Sequence, residues 1–383
     1  MTDREPRVPR TPYFVTCAPG LEPILHQELR DLRFAKVERQ TGGVYFEGDR
    51  KDAMRANLEL RTAVRVLERV ARFRASNAEE LYEGALSIEW RKYMRADTTL
   101  LLAAHTKDST LDHTLFIEQK VKDAICDALR AKGRERPNIE KDDPDLRVHV
   151  HLFKDRCTLL VDTSGESLHK RGWRRSQGRA PLSETLAAGI VLLSGWDRRT
   201  PILDPFCGSG TLLIEAALIA DDVAPGLFRE EFGFMRMPDY DALAWKTLTE
   251  AARARIRPQR KLPLIGCDQN KEIIEGTHEN FVAAGLEGRA ELRADDARAV
   301  EIKPGWNGMI LTNPPYGERV GDEKGLYGLY ERLGVRLREE AKGYSLALFS
   351  GNPKLDAKLG IRFEKRIALK NGALDCELLL GKL

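Results

Sequence analysis

The 383-residue chain is short of several things that would place it in other classes. No apolar run approaches the ~20 residues a bilayer span requires, because Arg, Asp or Lys interrupts each one. The start, Met1 to Pro12, is charged and proline-rich with no apolar core, so no secretory signal is expected. Six cysteines, at 17, 126, 157, 207, 267 and 376, are widely spaced and never form a CxxC pair. That pattern argues against a zinc site and against a disulfide framework. No internal repeat or low-complexity tract is visible. What is present, 42% hydrophobic and 32% charged residues, suits a chain that buries real cores. At roughly 150 residues per domain its length suggests two or three domains. The expectation is a soluble, reduced, cytoplasmic, multidomain protein with no membrane partner and no evident obligate protein partner.

Net charge is only +3, yet the first 180 residues hold 34 Lys and Arg against 29 Asp and Glu, and the remainder 28 against 30. Residues 166–180 (ESLHKRGWRRSQGRA) concentrate the excess, with five cations against one carboxylate. Lys170, Arg171, Arg174, Arg175 and Arg179 are candidate phosphate contacts and Trp173 a candidate base stacker. The competing reading is a solvated linker whose Trp packs against protein.

Coarse patterning gives a strand at 13–17, a helix at 21–32, and a strand ending at Tyr45–Phe46. Residues 51–72 read as helical, with Ala53, Leu58, Leu60, Val64 and Leu67 at helical spacing. An α+β stretch follows, with a strand at 100–105, a helix at 117–129, and a hairpin of 146–153 and 157–162 turning at Lys154–Arg156. His149 and His151 alternate onto one face of the first hairpin strand. They read as strand positions rather than metal ligands, since no partner sits at ligand spacing. No metal is expected.

Beyond the basic linker, apolar strands alternate with helices, as in a doubly wound parallel sheet that binds ligands at its strand ends. Residues 222–261 read as a charged insertion on that scaffold, carrying a helix near 240–256. The expected organisation is residues 1–66, 67–165, a linker at 166–182, and 183–383.

Two motifs carry chemistry. Asp204-Pro-Phe-Cys-Gly-Ser-Gly-Thr211 lies between a strand and a helix, and its glycines let backbone approach a ligand. It is neither GxGxxG nor a Walker loop, since no Lys follows Gly210. The next strands end in Asp268 and in Asp295–Asp296. Each acid alone suits a helix cap. Together they would repel a pyrophosphate and suit a cationic sulfonium nucleoside, S-adenosylmethionine. The second motif, Asn313-Pro314-Pro315-Tyr316, also ends a strand. The Asn313 side-chain carbonyl and the Pro314 backbone carbonyl can both accept from one planar amino group, while Tyr316 offers a ring to a base. An exocyclic amine is scarcely basic, so catalysis there rests on positioning and charge stabilisation. Pyrimidine carbon-5 methylation is disfavoured because no thiolate lies near this loop, and Cys207 reads as a space-filler.

These motifs, DPFCGSGT and NPPYGER, resemble class I S-adenosylmethionine-dependent RNA methyltransferases that act on guanine N2. The resemblance covers nearly the whole chain. YFVTCAPGLEPILHQEL resembles the ferredoxin-like entry to their THUMP region, and residues 117–162 resemble the THUMP core, an RNA-binding module. LHKRGWR with APLSETLAAGI, and KNGALDCELLL, resemble the family's linker, first helix and closing strand. The family implied is that of bacterial 23S rRNA guanine-N2 methyltransferases, in its N-terminal half. It implies ferredoxin-like and THUMP modules before a seven-stranded, Rossmann-like sheet whose last strand is antiparallel. It assigns Asp204, Gly208 and Gly210 to the methionine end of the cofactor, within a set that includes Pro205, Cys207, Ser209, Thr211 and Thr185. Asp268, with Gln269 beside it, falls to the ribose and Asp296, with Asp295 as neighbour, to the adenine. Asn313, Pro314 and Tyr316 fall to the target guanine, with Asn313 also counted in the cofactor set. The family often has Lys where this chain has Ser183, and, with the sequence ending at 383, one methylation activity is expected rather than the two of longer relatives.

The activity implied is guanine-N2 methylation of 23S rRNA or its precursor, leaving S-adenosylhomocysteine. tRNA is an alternative RNA, adenine N6 or protein glutamine N5 an alternative acceptor, and a non-catalytic RNA-binding factor an alternative class. A thiouridine synthase is excluded, since the phosphate loop it requires is missing.

Overall fold

The computed structural model describes residues 10–176, 182–257, 262–316 and 323–383. By contacts these fall into two units: 10–16, 26–168 and 229–251 in the first, and 17–25, 169–228 and 252–383 in the second.

The first unit is built on one seven-stranded sheet, ordered β2-β3-β1-β4-β7-β6-β5. Its first strands are β1 (Thr11–Cys17), β2 (Ala35–Gln40) and β3 (Gly43–Gly48). Burial alternates along β1, with Tyr13 and Val15 inside, as expected of a strand with one wet face. Helix α1 (Glu22–Asp31) precedes β2, and α2 (Arg50–Glu59) follows β3. Asp49 starts α2 by accepting from the Asp52 N–H at 2.8 Å, and the Asp52 carboxylate answers with the Asp49 N–H at 3.3 Å.

The structure corrects the helix expected over 51–72. Strand β4 (Ala63–Arg74) replaces its second half. The Glu28 carboxylate captures the Arg61 N–H at 2.8 Å and the Thr62 N–H at 3.1 Å, groups a continuing helix would have used. The β-branched Val64, Val66 and Val70 then favour the sheet. Because β4 joins β1 to β7, the two expected N-terminal modules share a single sheet.

The rest of that sheet comes from β5 (Leu100–Lys107), β6 (Leu146–Phe153) and β7 (Arg156–Asp162), with α3 (Ala78–Leu86) and α4 (Thr114–Arg130) between. Strands β6 and β7 form the expected hairpin, turning on Lys154 and Asp155, both at positive φ. Residues 229–251, expected as an insertion on the second sheet, belong to the first unit. Phe234 N–H donates to the Thr163 carbonyl at 2.9 Å, and Arg236 pairs with Asp143 at 2.9 Å. Helix α7 (Ala242–Ala254) ends this stretch.

The second unit carries the expected doubly wound sheet, ordered β10-β9-β8-β11-β12-β14-β13. Its strands are β8 (Ile202–Asp204), β9 (Leu264–Asp268), β10 (Glu291–Ala294), β11 (Met309–Thr312), β12 (Ser345–Ser350), β13 (Lys365–Asn371) and β14 (Leu374–Lys382). Neighbours from β10 to β12 are parallel, and β14 runs antiparallel to both β12 and β13. Helices α5 (Glu184–Leu193), α6 (Thr211–Ala220), α8 (Lys271–Ala283), α9 (Glu323–Glu340) and α10 (Pro353–Lys358) complete it. One face buries Leu203, Ile265, Ile310, Leu346 and Leu348 under Tyr330, Leu333 and Leu337 of α9. Four strands therefore end side by side in the order β10, β9, β8, β11, and the singled-out acids and Asn313 sit on those ends.

Candidate active site

The glycine turn grows out of β8. Gly208 and Gly210 have φ of +50° and +76°, which a side chain would strain. A Cβ on Gly208 would meet nothing within 4 Å, so the turn presents bare backbone to open space. At Gly210 a Cβ would stand 2.7 Å from Thr277 of α8, so this glycine lets helix and turn close up. Helix α8 braces the turn: Thr277 donates to the Gly208 carbonyl at 2.5 Å, and the Asn280 amide to the Ser209 carbonyl at 3.0 Å.

Asp204 is buried at the end of β8 and accepts from the Thr312 hydroxyl at 2.7 Å and the Phe206 N–H at 3.1 Å. Burial pushes its carboxyl up to about 7, the two hydrogen bonds oppose the rise, and the Asp268 charge adds to it. Asp268, half-buried at the end of β9, is also raised by burial, against the N–H groups of Asn270 and Gly208. Asp296 differs. Its carboxylate takes the Arg298 backbone N–H at 2.8 Å and the Arg298 guanidinium, which holds its pKa down at about 2. Asp295 and Gln269 are exposed beside these two acids.

At the end of β11, the Asn313 Oδ1 is buried and has no hydrogen-bond partner among the described residues. Tyr316 is half-buried, its ring edge-on to Phe349 at 6.2 Å and its hydroxyl accepting from the Asn371 amide at 3.1 Å. Tyr330 of α9 donates to the Pro315 carbonyl at 3.2 Å and so backs the loop. Residues 317–319 of the expected motif lie outside the described residues. Pro205, Cys207, Thr185 and Thr211 are buried, with both threonines in the first turns of α5 and α6. Burial drives the Cys207 thiol well up, in keeping with a space-filler rather than a nucleophile.

The basic linker needs the largest correction. Trp173 is 1% exposed and Arg171 2%, with Arg171 lying 3.5 Å from Glu215. Arg174 points inward as well. Its guanidinium donates to Glu184 at 2.8 Å, Ser209 Oγ at 2.9 Å, the Leu182 carbonyl at 2.9 Å and Thr211 Oγ1 at 3.1 Å. Trp173 and Arg171 are thus buried in the second unit, and the partly buried Arg174 guanidinium is taken up by protein acceptors. Lys170 and Arg175 are exposed, lining a cavity of 370 Å³ with Arg174, Ser183 and Glu184. Arg179 lies outside the described residues. Sequence reasoning also missed Asn280, whose carbonyl accepts the Arg175 and Ser176 N–H groups at 2.7 and 2.9 Å while its amide holds the glycine turn.

A glycine turn, a row of strand-end acids and a Pro-rich loop thus stand on neighbouring strand ends of one sheet. The family described as RMKL-like, methyltransferase domain, matches residues 171–379, more than half of the chain. The chain belongs to this family. Residues 12–67 match the RlmL ferredoxin-like domain and 75–162 the THUMP domain. "Ribosomal RNA large subunit methyltransferase K/L" of Pseudomonas entomophila (strain L48) is 40% identical over 98% of this chain but only 52% of its own length. The chain thus spans about half the length of such curated relatives. "Putative RNA methyltransferase slr0064" of Synechocystis is 37% identical over 97% of both chains. A solved structure titled as a putative methyltransferase complexed with SAH is 30% identical, covers 97% of this chain and 98% of its own, and superposes with a TM-score of 0.89. As an RMKL-like methyltransferase, the chain has the class I fold that the resemblance implied, on the doubly wound sheet expected from the alternation of strands and helices. Among the described residues no group of three potential ligands could hold a metal, and no helix is long and apolar enough to cross a membrane.

Proposed function

We propose that the chain transfers the methyl group of S-adenosylmethionine to the exocyclic N2 of a guanine in structured RNA, with 23S rRNA or its precursor as the first candidate. One observation carries the reading. Asn313 Oδ1 is a buried acceptor left unpaired on the strand end next to Asp204. A buried polar atom without a partner is costly, and a planar amine entering there would satisfy it.

The residues present suit the cofactor. Gly208 leaves open space over a bare turn, and Asp204 and Asp268 offer carboxylates on adjacent strand ends. S-adenosylmethionine supplies an electrophilic methyl group and leaves as S-adenosylhomocysteine. Asp204 with the turn Gly208–Gly210 holds the methionine end. Asp268, with Gln269, takes the ribose hydroxyls, and Asp296, with Asp295, faces the adenine. Asn313 and the Pro314 carbonyl each accept one hydrogen of the guanine amine and hold its lone pair toward the methyl. As the amine gains positive charge these two oxygens stabilise it, and they are fixed before the reaction begins. Tyr316 sits beside the entering base, which leaves its stack to reach the pocket. The matches to a THUMP domain and to proteins named ribosomal RNA methyltransferases support RNA as the substrate.

The test is nucleoside mass spectrometry after incubating the protein with isotopically labelled S-adenosylmethionine and 23S rRNA, its precursor particles, or tRNA. Labelled N2-methylguanosine in rRNA is the expected product. Labelled N6-methyladenosine would assign adenine to the Asn313 pocket and overturn the guanine reading. No labelled nucleoside in any RNA would overturn the reading altogether.

A further inference from the structure

The hairpin of β13 and β14 reaches past the working edge of the second sheet. Thr312 of β11 lies opposite Leu348, and Ser350, the last residue of β12, lies opposite Glu377 of β14. The tip at residues 371–376 therefore projects beyond β12, at the edge where Asn313–Tyr316 leaves β11. Two side chains of that tip meet Tyr316. The Asn371 amide donates to its hydroxyl at 3.1 Å, and the Cys376 thiol lies 3.8 Å from the same oxygen. The ring's edge rests on bare backbone, since a Cβ on Gly351 would stand 2.9 Å from Cε2 of Tyr316. Asn371 is the register partner of Leu374, and Leu374 stands two residues before Cys376. Cross-strand partners and alternate residues share a face, so Leu374 lies on the face of the hairpin that meets Tyr316. It is 57% exposed, whereas Leu378 and Leu379 further along β14 are fully buried.

A base taken out of its stack needs a surface on each side to replace the contacts it leaves, and aromatic and apolar side chains supply such surfaces. We propose that the hairpin tip is the second wall of the acceptor pocket: Asn371 is a positioning residue that fixes the Tyr316 ring by its hydroxyl, and Leu374 packs on the base that the ring receives. The bond from Asn371 sets where the far end of the ring lies, while Gly351 and Phe349 at its edge set how it is turned. Leu374 brings apolar surface and no charge, so its contact adds affinity for the base without adding to the salt dependence of RNA binding. The wall rests on the methyl-transfer reading above and uses residues which that reading leaves idle.

The test is steady-state methylation of 23S rRNA by the full chain with labelled S-adenosylmethionine, each substrate varied in turn, beside calorimetric titration with the cofactor alone. Asn371→Leu, of similar size but with no donor, should lower kcat/KM for RNA roughly 5- to 10-fold. Asn371→Asp should recover part of that loss, because the Tyr316 hydroxyl then donates to the carboxylate and the ring is held again. In a Tyr316→Phe background Asn371→Leu should cost nothing further, since the group it acts through is gone. Leu374→Ala should raise KM for RNA about 5- to 10-fold, and Leu374→Met, which restores apolar length, should recover most of it. Cofactor affinity and melting temperature should stay close to wild type in every Asn371 and Leu374 variant. Full activity of Asn371→Leu and Leu374→Ala on RNA would overturn the wall. So would losses of cofactor affinity or stability that match the loss on RNA, because the hairpin would then serve only the fold. Additive losses in Tyr316→Phe, Asn371→Leu would overturn the positioning role. No labelled nucleoside from the wild-type chain in any RNA would instead overturn the methyl-transfer reading, and the wall with it.

Discussion

The hydroxyl of Thr312 donates to the Asp204 carboxylate over 2.7 Å, tying the residue before Asn313 to the first residue of the glycine turn. Both groups are buried, so the bond is shielded from water. It couples the two motifs mechanically, since a shift of the Asn313 loop moves the carboxylate proposed to hold the cofactor. Thr312→Val keeps the shape and removes the donor. Calorimetry should show cofactor affinity reduced about 10-fold, and melting should show a loss of about 1 to 3 kcal/mol, as expected when a buried acceptor loses its donor. Unchanged affinity would detach Asp204 from the cofactor site.

If Asp204 holds the cofactor as proposed, ligand binding should depend on pH. In the free protein its carboxyl titrates at about 7, against 3.8 for an unperturbed Asp. A cationic ligand favours the ionised form, so binding releases a proton below neutrality. Affinity should rise about 10-fold from pH 6 to pH 8, as the ionised fraction does, and Asp204→Asn should flatten that dependence. Stability runs the other way. Between about pH 4 and 7 the folded state binds the proton that the unfolded state has lost, so the ligand-free protein weakens as pH climbs through that window. Melting curves at pH 5 and pH 8, with and without S-adenosylmethionine, read both effects.

Asn313→Ala should lower kcat at least ~100-fold while cofactor affinity changes little, because the proposed role of the amide oxygen is to hold the acceptor base. Asp268→Ala should do the reverse, weakening the cofactor with kcat at saturation largely kept. Steady-state kinetics with each substrate varied in turn separates the two. Equal turnover in Asn313→Ala and wild type would remove the catalytic assignment.

Much of the second unit was legible because its signals are local. Apolar strands of four to six residues, each ending in an acid or Asn, announce a parallel sheet and its working edge. The order β10-β9-β8-β11 then aligns Asp296, Asp268, Asp204 and Asn313 along that edge. The misreadings share a different cause. Val64 and Leu67 fit a helical stripe, and only the Glu28 carboxylate, 33 and 34 residues upstream of the N–H groups it captures, decides against it. Arg174 and Arg175 are chemically identical neighbours. One is interior because Glu184, Ser209 and the Leu182 carbonyl converge on it, which no reading of a cationic run reveals. Asn280 belongs to no motif at all, and its role exists only once α8 lies beside the turn.

Arg174 therefore reads as a strut of the glycine turn. Arg174→Ala leaves the Glu184 carboxylate buried and unpaired, a loss of about 3 kcal/mol. Calorimetric melting should show the drop, and cofactor affinity should fall with it because Ser209 and Thr211 lose their shared donor. Arg174→Lys should recover part of the stability and less of the affinity, since one ammonium cannot span the four acceptors that the planar guanidinium reaches.

Tyr330 offers the finest probe of the acceptor loop. Its hydroxyl reaches the Pro315 carbonyl from inside the α9 core, at 3.2 Å, and its ring is fully buried. Proline has no N–H, so the Pro314–Pro315 segment cannot brace itself by local backbone donors, and this bond from outside the loop takes their place. Tyr330→Phe keeps the core packing and frees the carbonyl. If the loop's stiffness aims the Asn313 and Pro314 oxygens, kcat should fall roughly 5- to 20-fold while KM for the cofactor and the melting temperature stay close to wild type. Were kcat unchanged, the prolines alone would suffice to hold the loop, and the hydroxyl of Tyr330 would be a feature of core packing only.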